Sequence, residues 1–315
     1  LEFRRVLFRS DEGFVSVLCV ALKSLIQNSS PENTYDIVIL TTDISEPSQI
    51  MLQRICKRQN FSIRFLDISD TFDIYGNNVF YVKDHYKIYT YFRFFITDFF
   101  EKFEKVIYID VDEILLDDIA KLYNIDFEEN YLLATDDLYM NILIEKGIGD
   151  TYDYLKKNLS MDNPYNYFQA GVLGFDINKC KEYNAAEKLL GKLQEVKKPR
   201  IVDQDIMNCV FQNKVKFIDN AWDVDLNILQ LIKRSDAQNV SPETMKPFYA
   251  SLRNAKILHY AGGVKPWNCL FMPKAHVFWK YAIQTPVFGK LVNNLISKLF
   301  RKYTLLFKLC RSEEH

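Results

Sequence analysis

Short apolar, β-branched runs alternate with helical segments along the first half of the chain, and this alternation restricts the fold more than any other feature of the sequence. Strands are predicted over 36–42, 61–67, 105–110, 131–135, 170–175 and 256–260. Helices are predicted after Ser45, over 89–103, from Asn178 to about Lys197, and from Asp203. Strands that alternate with helices in this way favour an α/β fold with a largely parallel sheet.

The composition fits a globular protein with a substantial core. Hydrophobic residues make up 48% and aromatic residues 15% of the 315 residues, which excludes an intrinsically disordered chain. Lys and Arg total 40 against 41 Asp and Glu, so bulk charge gives no reason to expect a nucleic-acid partner. The six cysteines are scattered without paired spacing, which predicts reduced thiols and a cytoplasmic location rather than a disulfide framework.

The two ends of the chain are related at the level of their codons. Residues 6–10 can be encoded GTG CTC TTC CGA TCT, and the reverse complement of that string translates as residues 311–315. The string also resembles a sequencing-library adaptor. We therefore expect residues 1–10 and 311–315 to be non-native, and we leave them out of the predicted fold.

The predicted strand over 105–110 leads to two carboxylates, Asp110 and Asp112, at its C-terminal end. Ligands bind at this edge of α/β sheets, and side chains two residues apart on a strand point the same way. The two carboxylates can therefore share one divalent cation, and their hard oxygens indicate Mg²⁺ or Mn²⁺ bridging to a substrate phosphate. Because Asp-x-Asp is common, a strand end with ordinary solvated acids is the alternative.

A second group of residues suited to this chemistry follows the last predicted strand. His259 ends that strand, and Gly262, Gly263 and Lys265 come next. A lone His at a strand end is more often structural than a ligand. Here the flexible turn and the nearby ammonium suit an anion cradle, and a neutral imidazole would complete a two-carboxylate metal site.

Two further segments carry candidate residues. Asp203-Gln204-Asp205 opens a predicted helix, where Asp203 can act as a cap as well as in a site. The small residues in Gln169-Ala170-Gly171, just before a strand, would let a ligand approach the backbone closely.

Taken in order, these motifs resemble those of glycosyltransferase family 8, which includes bacterial lipopolysaccharide galactosyl- and glucosyltransferases and, more distantly, glycogenin. The matched segments are Asp11-Glu12-Gly13-Phe14, residues 20–25, Arg93, Asp110-Val111-Asp112, residues 169–173, Asp203-Gln204-Asp205, His259 and Lys265-Pro266-Trp267. The resemblance implies a GT-A fold, so we expect a Rossmann-like catalytic domain over 11–277. The change of composition at Phe278 separately predicts a helical segment over 278–310. The resemblance also implies a UDP-sugar donor, Mn²⁺ (with Mg²⁺ as the alternative) and retention of anomeric configuration.

The resemblance assigns a role to each matched position. It makes Asp110, Asp112 and His259 the metal ligands. The donor-binding positions are Asp11, Phe14, Arg93, Val111, Gln169, Ala170, Gly171, Gly262 and Lys265. The catalytic positions are Asp137, Asp203 and Gln204, with Gln204 on the face of the anomeric carbon opposite the leaving group. Two departures from the family pattern are Gln169, where many members have Asn, and Glu12-Gly13, where Asp-Asn is usual.

The implied reaction moves a hexose, glucose or galactose, from UDP to a saccharide or lipid-linked saccharide acceptor in lipopolysaccharide or other cell-surface glycan synthesis. Gln204 is a poor nucleophile, which favours a front-face displacement over a double displacement. One alternative is a catalytically silent nucleotide-sugar-binding protein, which the complete set of metal ligands argues against. The other is a haloacid-dehalogenase-type phosphatase, which Glu113-Ile114 and the absence of a downstream Gly-Asp-x-x-x-Asp run disfavour.

The segment from Gly289 to Cys310 has no acidic residue. It mixes Leu, Ile, Phe and Tyr with the basic residues Lys290, Lys298, Arg301, Lys302 and Lys308. This composition predicts either a helix packed on the domain or a basic amphipathic segment that lies on the anionic inner face of a membrane.

Overall fold

A computed structural model of the chain describes residues 3–71, 80 and 88–312, with side chains over 3–71, at 80 and over 90–300. In chain order its strands are β1 (Phe3–Arg9), β2 (Thr34–Thr41), β3 (Phe61–Asp67), β4 (Lys105–Ile109), β5 (Glu113–Leu115), β6 (Leu132–Ala134), β7 (Val172–Asp176), β8 (Val215–Phe217), β9 (Val224–Asp225) and β10 (Ile257–His259).

These strands form a large and a small sheet. The seven-stranded sheet has the order β3-β2-β1-β4-β7-β6-β8, and a three-stranded sheet has the order β5-β10-β9. In the large sheet β7 pairs antiparallel with β4 and β6, and the other pairings are parallel. The predicted α/β fold with a mostly parallel sheet is confirmed.

Helices cover both faces of the large sheet. They are α1 (Val15–Asn28), α2 (Glu46–Ile55), α3 (Ile96–Phe99), α4 (Ile119–Tyr123), α5 (Leu138–Glu145), α6 (Thr151–Asp153), α7 (Ile177–Glu182), α8 (Ala185–Val196), α9 (Val202–Phe211), α10 (Ile228–Leu231), α11 (Pro242–Arg253), α12 (Ala275–Ala282) and α13 (Phe288–Ser312). Side chains alternate along β1, so Val6 and Phe8 enter the core beneath α1, α4 and α12, whereas Leu7 enters the core beneath α7, α8 and α9.

Two predicted helices differ from those of the structure. Residues 89–103 do not form one α-helix, because a 3₁₀-helix (Ile88–Phe95) comes before α3. Side chains three residues apart lie on one side of a 3₁₀-helix, and this lets Thr90 and Arg93 both reach Asp203. The helix predicted from Asn178 to about Lys197 is two helices, α7 and α8, because Asn184 adopts a left-handed conformation (φ 55°) between them.

Residues 3–9, which the sequence analysis left out, form the strand between β2 and β4. Val6, Leu7 and Phe8 are fully buried, and the Arg5 guanidinium donates to Asp36 Oδ2 at 2.7 Å. The fold therefore includes these residues whatever their origin. Their adaptor origin stays a prediction.

The C-terminal segment is helical, as predicted, and ends in α13. Leu291 and Leu295 on α13 are buried, whereas Ile296 and Phe300 are exposed. The Lys298 ammonium donates to Asn268 Oδ1 at 2.6 Å, which ties α13 to the segment after Lys265. Within the described ranges, none of the helices combines the length and the apolar character needed to cross a membrane.

Candidate active site

Strands of the large sheet bring the predicted residues to one edge. β1 and β4 are parallel neighbours, so Asp11 and Asp110, which follow them, emerge side by side. β7 runs the opposite way and begins at this edge, where Val172 is paired with Ile109, so residues 169–171 arrive there as well. Asp137 follows β6 at the same edge. The carboxyl edge of a parallel sheet is where ligands bind in α/β proteins.

A cleft of about 390 Å³ lies at this edge. Every position that the sequence analysis named as metal-binding, donor-binding or catalytic lines it: Asp11, Phe14, Arg93, Asp110, Val111, Asp112, Asp137, Gln169, Ala170, Gly171, Asp203, Gln204, His259, Gly262 and Lys265. The structure thus brings all of these residues together. The role given to each of them stays a prediction.

Asp110, Asp112 and His259 form a cluster in which the ligand atoms all lie within 4.8 Å of one another. The pairing of β5 with β10 sets His259 opposite Glu113 and so beside Asp112, with 3.6 Å between His259 Nε2 and Asp112 Oδ1. Contrary to expectation, the two aspartates do not alternate along a strand, because β4 ends at Ile109 and they lie in the following turn. Two carboxylates and an imidazole fit Mn²⁺ or Mg²⁺.

Two cationic side chains hold the carboxylates of this cluster. The guanidinium of Arg93, 7% exposed, binds both Asp110 and Asp203. Lys265 binds Asp112 and also donates to the Tyr260 carbonyl at 2.6 Å. Burial would raise the pKa of Asp112, but Lys265 and His259 outweigh it and hold the pKa at about 2. The Asp112 side chain is therefore an anion at neutral pH.

His259 is enclosed by acidic side chains. Its Nδ1 lies 2.9 Å from Asp223 Oδ1 and 3.6 Å from Glu113 Oε1. Burial would lower the pKa of His259, but the negative charges of Asp223, Glu113 and Asp112 outweigh it and raise the pKa well above its usual value. Burial and the neighbouring Asp223 raise the pKa of Glu113.

The packing around Gly171 gives a reason of its own for the small size of this residue. A Cβ atom there would lie 2.6 Å from the His259 ring and 2.6 Å from Glu113 Oε1. The space in the Cβ direction of Gly171 is thus filled by side chains of the protein. Gln169, Ala170 and Gly171 nevertheless line the cleft, and the close approach of a ligand to their backbone stays a prediction. Gly262 has φ +76°, and a Cβ there would lie 3.0 Å from the Asn227 side chain, so the turn before Lys265 does require glycine.

Gln204 is held by hydrogen bonds at both ends of its amide. Its Nε2 donates to Asp137 Oδ2 at 2.8 Å, and its Oε1 accepts from the Ala170 backbone N–H at 2.9 Å. Asp137 also accepts from the Met140 backbone N–H at 2.9 Å and so begins α5. Burial, together with the nearby Asp225, raises the pKa of Asp137 to about 7.

Asp203 does not cap its helix, so that alternative is wrong. The N-cap of α9 is Ile201, and the Asp203 carboxylate accepts from Thr90 Oγ1 at 2.6 Å and binds Arg93. Asp205 instead anchors the start of α9, because its carboxylate accepts from Tyr154 and Tyr167 hydroxyls at 2.6 Å each. Asp203 and Gln204 are thereby directed to the cleft.

Glu12, which stands where family members usually have Asp, also has a structural role. The Glu12 carboxylate accepts from the Ser45 backbone N–H at 2.9 Å and from Ser48 Oγ at 2.7 Å. It therefore binds the start of α2, where the Ser45 side chain makes no capping hydrogen bond. A carboxylate is favoured at the positive end of a helix.

Several acidic and polar residues of the site were not predicted from the sequence. Asp225, Asn227, Tyr139 and Thr90 line the cleft, and Asp223 lies behind it against His259. One signal was available, because Asp223-Val224-Asp225 repeats the letters of Asp110-Val111-Asp112. Only the pairing of β9 with β10 shows that this second Asp-Val-Asp segment lies next to His259.

The fold and the cleft together define an α/β protein with an acidic, metal-compatible site at the carboxyl edge of its sheet. The chain matches the family model of glycosyl transferase family 8 over residues 5–270. It therefore belongs to glycosyltransferase family 8 and is a glycosyltransferase.

Individual relatives agree with this assignment. A Haemophilus influenzae protein named as a glycosyltransferase is 27% identical over 265 residues, which are 84% of this chain and 72% of that protein. The lipopolysaccharide 1,3-galactosyltransferase of Salmonella typhimurium is 28% identical over 186 residues, which are 57% of this chain and 49% of that enzyme.

Solved structures agree in fold. The bifunctional glycosyltransferase WbbM superposes with a TM-score of 0.82 at 27% identity, over 93% of this chain and 52% of WbbM. LgtC, solved as an active-site mutant, superposes with a TM-score of 0.72 at 24% identity, over 90% of this chain and 96% of LgtC. The predicted family and the GT-A fold are confirmed.

Proposed function

We propose that this glycosyltransferase moves a hexose, glucose or galactose, from a UDP-sugar to a saccharide or lipid-linked saccharide acceptor in lipopolysaccharide or other cell-surface glycan synthesis. The reaction retains the anomeric configuration and depends on Mn²⁺, or on Mg²⁺ in its place. The observation that carries the proposal is the Asp110, Asp112 and His259 cluster, which opens into a cleft that also contains Lys265. The name of the Salmonella relative, and a structure of LgtC in complex with donor and acceptor sugar analogs, support the substrate classes.

The binding roles follow from the chemistry of the side chains. Asp110, Asp112 and His259 would hold the metal, which when bound neutralises charge on the leaving diphosphate. Lys265, on the turn after Gly262, would add its positive charge to the same diphosphate. The donor-sugar hydroxyls would meet Arg93, Asp137, Asp203 and Gln169, and the nucleoside would meet Asp11, Phe14, Val111, Ala170 and Gly171.

The transfer itself is proposed as a front-face displacement. The acceptor hydroxyl oxygen forms a bond to the anomeric carbon on the side from which UDP leaves. The bond between that carbon and the diphosphate oxygen breaks, its electron pair stays with UDP, and the hydroxyl proton passes to a departing phosphate oxygen. Gln204 would lie on the opposite face, where its amide, fixed by Asp137 and Ala170, stabilises positive charge on the sugar without attacking it.

We also propose a cytoplasmic protein that contacts the anionic inner face of the membrane. Leu270 and Phe271 are 52% and 93% exposed, on the segment that α13 contacts through Lys298 and Asn268. Exposed apolar side chains beside the acid-free α13 suit an anionic lipid surface. The cysteines with described side chains, Cys19, Cys56, Cys180, Cys209 and Cys269, are free thiols, which suits a reducing compartment.

A donor screen tests the proposed function. Purified protein is given each UDP-hexose with Mn²⁺, and UDP release is measured with and without a saccharide acceptor. We expect release with UDP-glucose or UDP-galactose, loss of release with a chelator, and recovery when Mn²⁺ is restored. Binding of UDP-hexose with no UDP release under any condition would instead support the silent nucleotide-sugar-binding protein.

A further inference from the structure

We propose that Asp223 is a positioning residue for the metal site. It holds the imidazole of His259 in the tautomer that has its proton on Nδ1 and an unprotonated Nε2 facing the cleft. The inference rests on the proposed metal dependence and adds a residue outside the ligand set. Its basis is the geometry of two short strands, β9 and β10, which lie side by side.

The Asp223 carboxylate faces two hydrogen-bond donors. Its side chain is 0% exposed, Oδ1 lies 2.9 Å from His259 Nδ1, and Oδ2 accepts from the Val172 backbone N–H at 3.1 Å. A backbone N–H can only donate, so the second bond fixes the plane of the carboxylate. Oδ1 is then the acceptor that faces His259, which requires that His259 Nδ1 carry a proton.

This arrangement determines which nitrogen of His259 is available to a cation. In a neutral imidazole one nitrogen carries the proton and the other has a lone pair. With Nδ1 bonded to Asp223, Nε2 is the nitrogen that would give up its proton and offer a lone pair to a cation, and it lies 3.6 Å from Asp112 Oδ1. Metal-bound histidines generally donate their other ring N–H to a carboxylate or carbonyl, which fixes the ring and its tautomer.

The other neighbours of the ring do not take this role. Glu113 Oε1 is 3.6 Å from Nδ1, beyond hydrogen-bond distance, and neither Glu113 oxygen has a hydrogen-bond partner among the described residues. Gly171 closes another side, because even a Cβ there would lie 2.6 Å from the ring. The ring is thus confined by Gly171 and oriented by Asp223.

The variant Asp223→Asn tests whether Asp223 sets the tautomer of His259 or only fills space in the interior. An amide offers one acceptor and one donor, but both groups that face it are donors. If the amide nitrogen faces His259, Nδ1 must become the acceptor, and the proton moves to Nε2, where it blocks a cation. If it faces Val172, two N–H donors meet and the side chain is displaced. In both cases we expect Mn²⁺ affinity, measured with saturating UDP from the electron paramagnetic resonance signal of free Mn²⁺, to fall about 10- to 100-fold.

A matched control is Asp118→Asn. Asp118 is also buried, and it accepts from the Tyr35 hydroxyl at 2.7 Å and from the Ala120 backbone N–H at 2.9 Å, away from the cleft. We expect this variant to lose stability but to keep its Mn²⁺ affinity. Electron spin echo spectra of bound Mn²⁺ should show ¹⁴N coupling from an imidazole in the parent and in Asp118→Asn, and this coupling should be weakened in Asp223→Asn.

The unmodified protein gives a direct measurement that does not depend on how the variants fold. In the protein loaded with Mg²⁺ and UDP, ¹⁵N chemical shifts of His259 should show a protonated Nδ1 and an unprotonated Nε2. An unchanged Mn²⁺ affinity in a folded Asp223→Asn would overturn this inference alone. A protonated Nε2 in the loaded protein would overturn it and would also remove His259 from the proposed metal ligands. A parent protein that binds neither Mn²⁺ nor Mg²⁺ in the presence of UDP would overturn the proposed metal dependence as well.

Discussion

The Lys265 ammonium, on the turn after β10, is bonded to the Asp112 carboxylate, on the turn after β4. The same carboxylate belongs to the cluster proposed to bind a divalent cation. A metal ion at this cluster would therefore compete with Lys265 for Asp112 until a diphosphate offered Lys265 a second anionic partner. This relationship gives opposite expectations for metal binding and for turnover when Lys265 is removed.

Lys265→Ala should bind Mn²⁺ more tightly than the parent when no nucleotide is present, because Asp112 loses its competing cation. Turnover should nevertheless fall, by about 10²-fold, because the leaving diphosphate loses a positive charge. Titration of Mn²⁺ without nucleotide and a UDP-release assay measure the two effects. Weaker Mn²⁺ binding without nucleotide would contradict the competition.

Asp112→Asn should abolish most activity and leave the fold intact. The variant keeps the shape of the side chain but removes one anionic ligand, so we expect turnover to fall by about 10³-fold or more with Mn²⁺ present. UDP release and circular dichroism measure the two outcomes. Asp117→Asn is the control, because Asp117 pairs with Lys121 on the surface and should be neutral in both assays. Activity retained by a folded Asp112→Asn would remove Asp112 from the metal site.

Asp137 should make the protein less stable as pH rises from about 4 to about 7. Burial raises its folded-state pKa to about 7 from 3.8, so across this window the folded protein keeps a proton that the unfolded chain has lost. Stability then decreases with pH, by at most about 1.4 kcal/mol per pH unit. Asp137→Asn removes this contribution, so the stability of the variant relative to the parent should increase from pH 4 to pH 7 in urea unfolding.

Asp36→Asn is a control for which the expected pH dependence of stability has the opposite sign. Burial would raise the pKa of Asp36, but hydrogen bonds from Arg64 and Arg5 outweigh it and lower the pKa. The ionised carboxylate therefore stabilises the fold above pH 4, and this stabilisation is lost as pH falls through the lowered pKa. Asp36→Asn should cost more stability at pH 7 than in acid. Parallel pH profiles for the two variants would contradict the shift assigned to Asp137.

The proposed membrane contact predicts sedimentation with anionic vesicles that weakens at high salt. Each basic residue near the surface adds about 1 kcal/mol, and exposed aromatic side chains add apolar burial. Phe271→Ser should reduce the bound fraction, whereas Phe217→Ser, at an exposed phenylalanine on β8, should not. Equal binding to neutral vesicles, or none to anionic ones, would refute the contact.

The sequence was most informative where local pattern and burial agree. The apolar runs at 36–42 and 105–110 predict β2 and β4 because both are buried in a mostly parallel sheet, where near-continuous hydrophobic strands occur. It was least informative where distant contacts decide local structure. The 3₁₀ conformation at 88–95 accompanies contacts of Thr90 and Arg93 with Asp203, which no local pattern encodes.

The residues of the candidate site also differ in whether the sequence predicts them. The metal cluster was predictable because Asp110, Asp112 and His259 each end a recognisable strand or follow one. Asp223 was not, because β9 has two residues and β10 three, too short for a periodic signal. Gly171 shows the same limit, since its small size is required by a histidine far away in sequence.

Arg93 joins Asp110, after β4, to Asp203, on α9, with a single guanidinium. A guanidinium is planar and always charged, so it bridges the two carboxylates in the absence of a nucleotide. The two sides of the cleft are consequently in register before the donor arrives. We therefore expect donor binding to order these two elements little further, which leaves more of the donor's binding free energy available for affinity.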